Sequence, residues 1–302
     1  MGNQLFQYSM ARRLALRHGT DVLLDSSGYK PLTSFDGLSA IGHRQLGLFD
    51  FRIVAREATE AEKSLLRDRY VTRATTHRAV RFARRYFPGL FWPASHIVEK
   101  GHRFDPGILE LPDYVYLSGF WQSEKYFIDE AQQIRQDLVL RDESITEEVD
   151  GRVQALRHEF GSVISLHVRR GDLAYAYENQ LKEHNVVGPP MHSQYFEEAM
   201  SRFPASACYL VFSDTSKDIE WCRQNIRATH IEFSHAESTL WDFAAMQACD
   251  HNILSNSTFS WWAAWLNPNP GRQVVAPRRW SGPAAKIEIP TDDLMPADWT
   301  LI

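Results

Sequence analysis

In the second half of the chain, apolar positions switch between helical spacing and short unbroken runs. Ile145, Val149, Val153 and Leu156 recur at intervals of four, four and three, which gathers them on one helical stripe. Ser144 and Glu147 precede and enter that stripe in the pattern of a capping box, and Gly161 stops it. The apolar run Ser162–Val168 then predicts a buried strand. Further helices are predicted near Tyr195–Phe203, Ile219–Ile226 and Thr239–Cys249 and from about Ser257. Between them fall predicted strands at Cys208–Phe212, His230–Phe233, Asn252–Leu254 and Val274–Ala276. Such βα alternation implies a parallel sheet with helices on both faces.

The first half is less regular. A helix is predicted from about Gln4 to Arg17 with Gly19 as its stop, then a strand at Val22–Leu24 and, much later, another at Tyr114–Leu117. A length of 302 residues suggests two domains, placed at 1–155 and 156–302. Net charge is −5, so no overall positive field exists to hold a polyanion, and nucleic acid is not expected as a partner. The charge is uneven, however, because residues 51–103 carry twelve Lys or Arg against five Asp or Glu. Within them Arg81–Trp92 interleaves cations with aromatics, a pattern suited either to an anionic membrane surface or to an ordinary amphipathic helix ending at Pro88. No apolar run reaches the ~18 residues of a membrane helix. Three cysteines without paired spacing point to a reducing compartment, so a cytoplasmic protein is expected, with a peripheral place on the inner membrane as the alternative for the basic segment.

The richest chemistry lies in Ser162-Val-Ile-Ser-Leu-His-Val-Arg-Arg-Gly-Asp172. Side chains alternate along a strand, so His167 and Arg169 point the same way, opposite to Ile164, Leu166 and Val168. At the carboxyl end of a parallel strand, where ligands of open α/β sheets bind, an arginine fork suits a phosphate; a surface ion pair among Arg169, Arg170 and Asp172 is the plainer reading. Two other predicted strands end in polar groups, at Asp214 and at Ser255-Asn-Ser-Thr258. Asn256, Ser257 and Thr258 fall at a helix N-terminus, which favours an anion, although capping alone accounts for one of them. Trp261, Trp262 and Trp265 are expected in the core, and Asp242 reads as a solvated carboxylate. Gly2 opens the first helix and permits close backbone approach to a ligand. No metal-ligand spacing, P-loop or nucleophile elbow is present in the sequence, so a metal-independent site is expected.

Taken together, five stretches resemble glycosyltransferase family 11, the alpha-1,2-fucosyltransferases: Gly2–Tyr8, Gly119–Phe127, His167–Asp172, Phe212–Asp214 and Ser255–Asn267, in that order. The resemblance implies a GT-B-type α/β fold of two Rossmann-like domains with parallel sheets, an N-terminal acceptor side and a C-terminal donor side. It implies inverting transfer of fucose from GDP-β-L-fucose to the 2-hydroxyl of a β-galactoside glycan, with no metal or other cofactor. Arg169 would hold the β-phosphate, assisted by Arg170, Ser257 and Thr258; His167, Gly2, Asn3, Gln4, Asp214 and Asn256 would help seat the donor, and Asp242 would read the guanine edge. Asp172 is chosen as the base that takes the acceptor proton, in competition with an ion pair to either arginine. Family members usually carry an apolar strand ahead of the Gly-Asn-Gln block. The N-terminal domain is therefore expected to lack its first strand, through a start inside a longer product or through a shortened, impaired variant. A binding protein that keeps the fold without turnover, and a transferase for another nucleotide sugar, are the alternatives.

Overall fold

A computed structural model describes residues 1–29, 46–66, 95–171, 190–235, 238–281 and 289–302. Asp172 and the segment Arg81–Trp92 lie outside the described residues. The chain divides into two compact units, one made of Met1 and Asn3–Val139, the other of Gly2 and Leu140–Ile302.

The first unit opens with α1 (Gly2–His18), whose first half is buried nearly all round through Leu5, Phe6, Tyr8, Ser9 and Met10. Arg17 and His18 stand in its last turn, where cations meet the negative end of the helix dipole, and Gly19 caps it. Strand β1 (Val22–Leu24) pairs in parallel with β2 (Ala55–Glu57); α2 (Glu60–Leu66) follows. A second two-stranded parallel sheet joins β3 (His96–Val98) to β4 (Tyr116–Ser118), and α3 (Ala131–Asp137) comes late in the unit. Among the described residues this unit shows two small parallel sheets. Asp137 accepts from the Tyr8 hydroxyl at 2.6 Å, Arg12 Nε at 2.8 Å and Gln133 Nε2 at 2.8 Å, as a buried carboxylate requires.

The second unit begins with α4 (Glu143–Phe160), which buries the predicted stripe at Val149, Val153 and Leu156 and ends at Gly161. Its cap differs from expectation: Asp142, not Ser144, is the N-cap, and its carboxylate accepts from the Ser144 backbone N–H at 3.1 Å and hydroxyl at 2.6 Å. A carboxylate two residues earlier than a capping-box serine outcompetes it for the helix dipole. Arg157 of α4 also binds Asp250 at 2.9 Å, which ties the helix to this unit and places the division ahead of the expected 155/156 boundary.

The sheet that follows uses β5 (Val163–Val168), α5 (Ser193–Met200), β6 (Cys208–Ser213), α6 (Ser216–Asn225), β7 (His230–Phe233), α7 (Thr239–Ala248), β8 (His251–Ile253), α8 (Thr258–Leu266), β9 (Val274–Ala276), α9 (Thr291–Leu294) and β10 (Thr300–Leu301). All pairings are parallel, in the order β10-β9-β8-β5-β6-β7. The chain therefore builds outward from β5 through β6 to β7, then returns to the other side of β5 at β8 and continues to β10. That reversal is the topological switch of a doubly wound sheet, and the crevice beyond it opens between the carboxyl ends of β5 and β8.

Strands β5 and β6 are buried along their whole length, because helices cover each face. Ile164, Leu166 and Val168 pack with Phe196, Val211 and Ile253 on one face. On the other face Asn252 donates to Ser165 Oγ at 2.7 Å and accepts from Asn267 at 2.8 Å, tying β8 to β5 and to the end of α8. Trp261, Trp262 and Trp265 lie in the core as expected, with the Trp261 indole donating to the Leu294 carbonyl at 2.9 Å. No helix among the described residues is long and apolar enough to cross a membrane.

Candidate functional site

Where β5 ends, the chain turns through Arg169, Arg170 and Gly171, and one side chain from β6 holds the turn. Asp214 accepts from Arg169 Nη1 at 2.5 Å and from the Arg170 backbone N–H at 2.9 Å. Gly171 is required in this turn: its φ is +24°, and a Cβ there would lie 2.9 Å from Asp214 Cβ. The Arg169–Asp214 pair is 24% and 18% exposed on its two sides, shielded enough that the carboxylate fixes the guanidinium fork instead of merely screening it. Arg170 packs against α6, with its guanidinium 4.0 Å from the Trp221 ring and Nε 3.8 Å from Asp218.

From the other wall of the crevice comes Ser255, two residues past β8. Its Oγ accepts from the Arg169 backbone N–H at 3.1 Å and lies 3.2 Å from His167 Nδ1. His167 is buried against Phe259 of α8, with ring centroids 5.8 Å apart. Burial, and secondarily the Arg169 charge, hold its imidazole far below the usual range, at about 3, so it is neutral at physiological pH. Ser257 caps α8 by accepting from the Phe259 N–H at 3.3 Å, Thr258 is the first helical residue, and Asn256 donates to the Trp280 carbonyl at 3.4 Å. Gly2, grouped with this unit, sits so close to Thr258 that a Cβ would fall 2.4 Å from its carbonyl carbon.

Asp242, on the first turn of α7, is buried and accepts from the Ser234 hydroxyl just past β7. The expected solvated carboxylate is thus corrected. Burial raises its pKa from 3.8 to about 6, with a smaller push from Asp214 opposed by the Ser234 bond and by His235. Below pH ~4 folded and unfolded chains both hold this proton; above about 6 both have lost it, and the folded state alone bears the cost of a buried anion, on the order of 3 kcal/mol. Asp242→Asn should therefore raise Tm at pH 8 and leave it nearly unchanged at pH 4, as read by thermal denaturation at the two pH values. An equal shift at both would show that the carboxylate ionises without penalty.

Thus the second unit brings together His167, Arg169, Arg170, Asp214 and the Ser255–Thr258 segment, with Asp242 further along the same sheet edge. Asn3 and Gln4 belong to the first unit, where Asn3 accepts from Gln122 Nε2 at 2.8 Å and Gln4 from the Gly47 N–H at 2.9 Å. Ser234 was not singled out from the sequence and Ser255 was given no role of its own, yet each follows a strand at the carboxyl edge of a parallel sheet, and that position was their signal. The first unit holds a cavity of about 670 Å³ lined by α1 residues Gln7 and Tyr8 together with Asp25, Lys63, Tyr116 and Trp121, in which Tyr116 donates to Asp25 at 2.8 Å.

Residues 102–302 match the sequence profile of Glycosyl transferase family 11. The chain belongs to glycosyl transferase family 11. Among curated members of known activity, this family 11 chain is 24% identical to an alpha-1,2-colitosyltransferase of Escherichia coli, over 100% of this chain and 96% of that one. It is 36% identical to galactoside alpha-(1,2)-fucosyltransferase 1 of Mico humeralifer over 163 residues, which cover 51% of this chain and 43% of the primate protein. The chain thus spans less than half the length of that relative. Among solved structures, NodZ alpha-1,6-fucosyltransferase soaked with GDP-fucose is similar at a TM-score of 0.45 and 16% identity, over 89% of each chain.

Proposed function

We propose that this family 11 protein transfers L-fucose from GDP-β-L-fucose to the 2-hydroxyl of a terminal β-galactoside. The observation that carries the proposal is the arginine turn at the switch point, where Asp214 and Ser255 hold Arg169 beside the N-terminus of α8. In such a transfer the bond from the fucosyl anomeric carbon to the β-phosphate oxygen breaks, the acceptor oxygen attacks the opposite face, and GDP departs with its charge rising. Attack opposite the leaving group turns a β-linked donor into an α-linked product. A guanidinium fixed beforehand, together with the positive end of a helix dipole, stabilises charge that develops on the departing phosphate. In this reading no metal is required.

The remaining roles follow the same chemistry. The Asp242 carboxylate suits the adjacent N–H donors of guanine, which a uracil base does not present in that arrangement, so GDP should bind more tightly than UDP. Asp172 is proposed as the base that accepts the proton of the attacking hydroxyl; Asp172→Asn should stop transfer while leaving GDP affinity near normal, as measured by calorimetry. For the acceptor, the cavity of the first unit offers Asp25, Lys63, Tyr116 and Trp121, the mixture of polar and aromatic groups that binds sugars. The basic aromatic segment is proposed to rest on an anionic membrane surface, which flotation with anionic liposomes at low salt tests directly.

A second reading is favoured by the similarity over the full length to an alpha-1,2-colitosyltransferase: the transferred sugar is colitose, which is L-fucose without its 3-hydroxyl. Incubating the purified protein with lactose and equal GDP-fucose and GDP-colitose separates the two. A fucosylated trisaccharide and free GDP, formed equally with and without chelator, support the first reading. A site that hydrogen-bonds the 3-hydroxyl should favour GDP-fucose by about 10²-fold or more in kcat/KM. Preference for GDP-colitose supports the second, and GDP binding without product supports a binding protein that has lost turnover.

A further inference from the structure

We infer that Ser255 fixes His167 as a neutral imidazole carrying its proton on Nε2, and that this N–H donates a hydrogen bond to the diphosphate of the donor; the second half rests on the function proposed above. The inference comes from accounting for every proton on a buried hydroxyl. Ser255 is fully buried, and among the described residues its Oγ has two partners, the Arg169 backbone N–H at 3.1 Å and His167 Nδ1 at 3.2 Å. A backbone N–H can only donate, so toward Arg169 the oxygen accepts. If Nδ1 were also protonated, Oγ would accept twice and its own hydrogen would be left without an acceptor in a place closed to water. Buried hydroxyls are rarely left so, because nothing replaces the lost hydrogen bond to solvent. With the hydroxyl donating to an unprotonated Nδ1, every group is satisfied.

A neutral imidazole has a single N–H, so the proton then resides on Nε2. Burial and the neighbouring Arg169 charge oppose a second proton. Nε2 lies across the ring from Ser255 and has no hydrogen-bond partner among the described residues. The relay Arg169 N–H, Ser255 O–H, His167 Nδ1 therefore does two things at once. It fixes the backbone that carries the arginine, and it presents a neutral donor beside a cation without adding repulsive charge. Ser255 is thus a positioning residue, acting through His167 and through the Arg169 backbone.

The test is nitrogen NMR on protein labelled at histidine, with His167→Asn to identify the signal. The inference expects His167 as the Nε2–H tautomer across neutral pH in the free protein, a mixture of tautomers in Ser255→Ala, and recovery in Ser255→Thr, which keeps the hydroxyl. An Nδ1–H tautomer or an imidazolium in the unaltered protein overturns it, whether or not either variant folds. With saturating GDP the Nε2–H resonance should shift, and Ser255→Ala should raise the Kd for GDP about tenfold. A His167 signal unmoved by bound GDP overturns the donor half of the inference. Absence of GDP binding altogether would instead overturn the proposed function, and the tautomer result in the free protein would still stand on its own.

Discussion

Arg169→Ala should lower transfer by on the order of 10³-fold and weaken GDP binding by about 10²-fold, with no loss of fold. The magnitude follows from the surroundings of the other basic groups described at this turn: Arg170 lies against Trp221 and Asp218, and His167 is neutral. Removal of one preorganised donor to a developing oxyanion typically costs 10²–10³-fold in rate, and a charged fork that also binds the ground state costs affinity as well. The fold should survive, because the guanidinium is a partly exposed group whose loss leaves no cavity in the core. Arg169→Lys should regain only about tenfold, since an ammonium keeps the charge but not the planar fork. Rates with GDP-fucose and lactose, beside melting curves for both variants, check each part. Full activity in the alanine variant would remove Arg169 from the reaction.

Asp214→Ala is expected to have the next largest effect, about 10²-fold in kcat/KM, together with a stability loss of about 2 kcal/mol. The carboxylate accepts from the Arg169 guanidinium and from the Arg170 N–H, and Gly171 lies so near that a Cβ there would meet Asp214 Cβ at 2.9 Å. Its loss leaves a backbone donor unsatisfied and lets the turn relax. Partial exposure of the ion pair, at 24% and 18%, keeps the stability cost below that of a fully buried charge pair. Because Asp214 acts through Arg169, the two substitutions should not add. The double variant Arg169→Ala/Asp214→Ala should be little slower than Arg169→Ala alone, as residues that work as a unit behave. Additive losses in the cycle would mean that Asp214 has a separate role toward the substrate.

The second unit was legible because its sheet is buried on both faces. Runs such as Val163–Val168 and Cys208–Ser213 are apolar, bounded by turn residues and separated by helical stripes, so pattern and structure coincide within one to three residues. The position of Arg169 was legible for the same reason: once β5 is placed, Arg169 must follow its carboxyl end. What alternation could not show is a partner from a distant strand. Ser255 meets Arg169 across 86 positions of sequence, and only the reversal in strand order brings them together. Asp242 misled because helical spacing says which face a residue takes but not whether another element covers it; Ser234 does. Ser144 misled because a pattern of serine and glutamate ignores a competing carboxylate two residues earlier.

In the first unit the described strands are three residues long, too short to establish a period, and much of the stability comes from side chains that meet over long separations. Tyr8 and Asp137 are an example, 129 positions apart and both buried. Such a contact has no local signature, since a tyrosine within a helix and an aspartate at a helix end are each unremarkable alone. The stretches Gly2–Tyr8 and Gly119–Phe127 gave no sign of their mutual contact: Gln7 donates to the Gly119 carbonyl at 2.7 Å inside the first unit.

The most direct measurement of the central claim, that Arg169 at the switch point grips the donor's diphosphate, is calorimetric titration with GDP and with guanosine on the unaltered protein and on Arg169→Ala. Guanosine lacks the phosphates and keeps the base, so the difference between the two affinities isolates the diphosphate contribution. The account predicts that GDP binds the unaltered protein far more tightly than guanosine, and that Arg169→Ala erases most of that difference while leaving guanosine affinity unchanged. An undiminished GDP advantage in Arg169→Ala would contradict it.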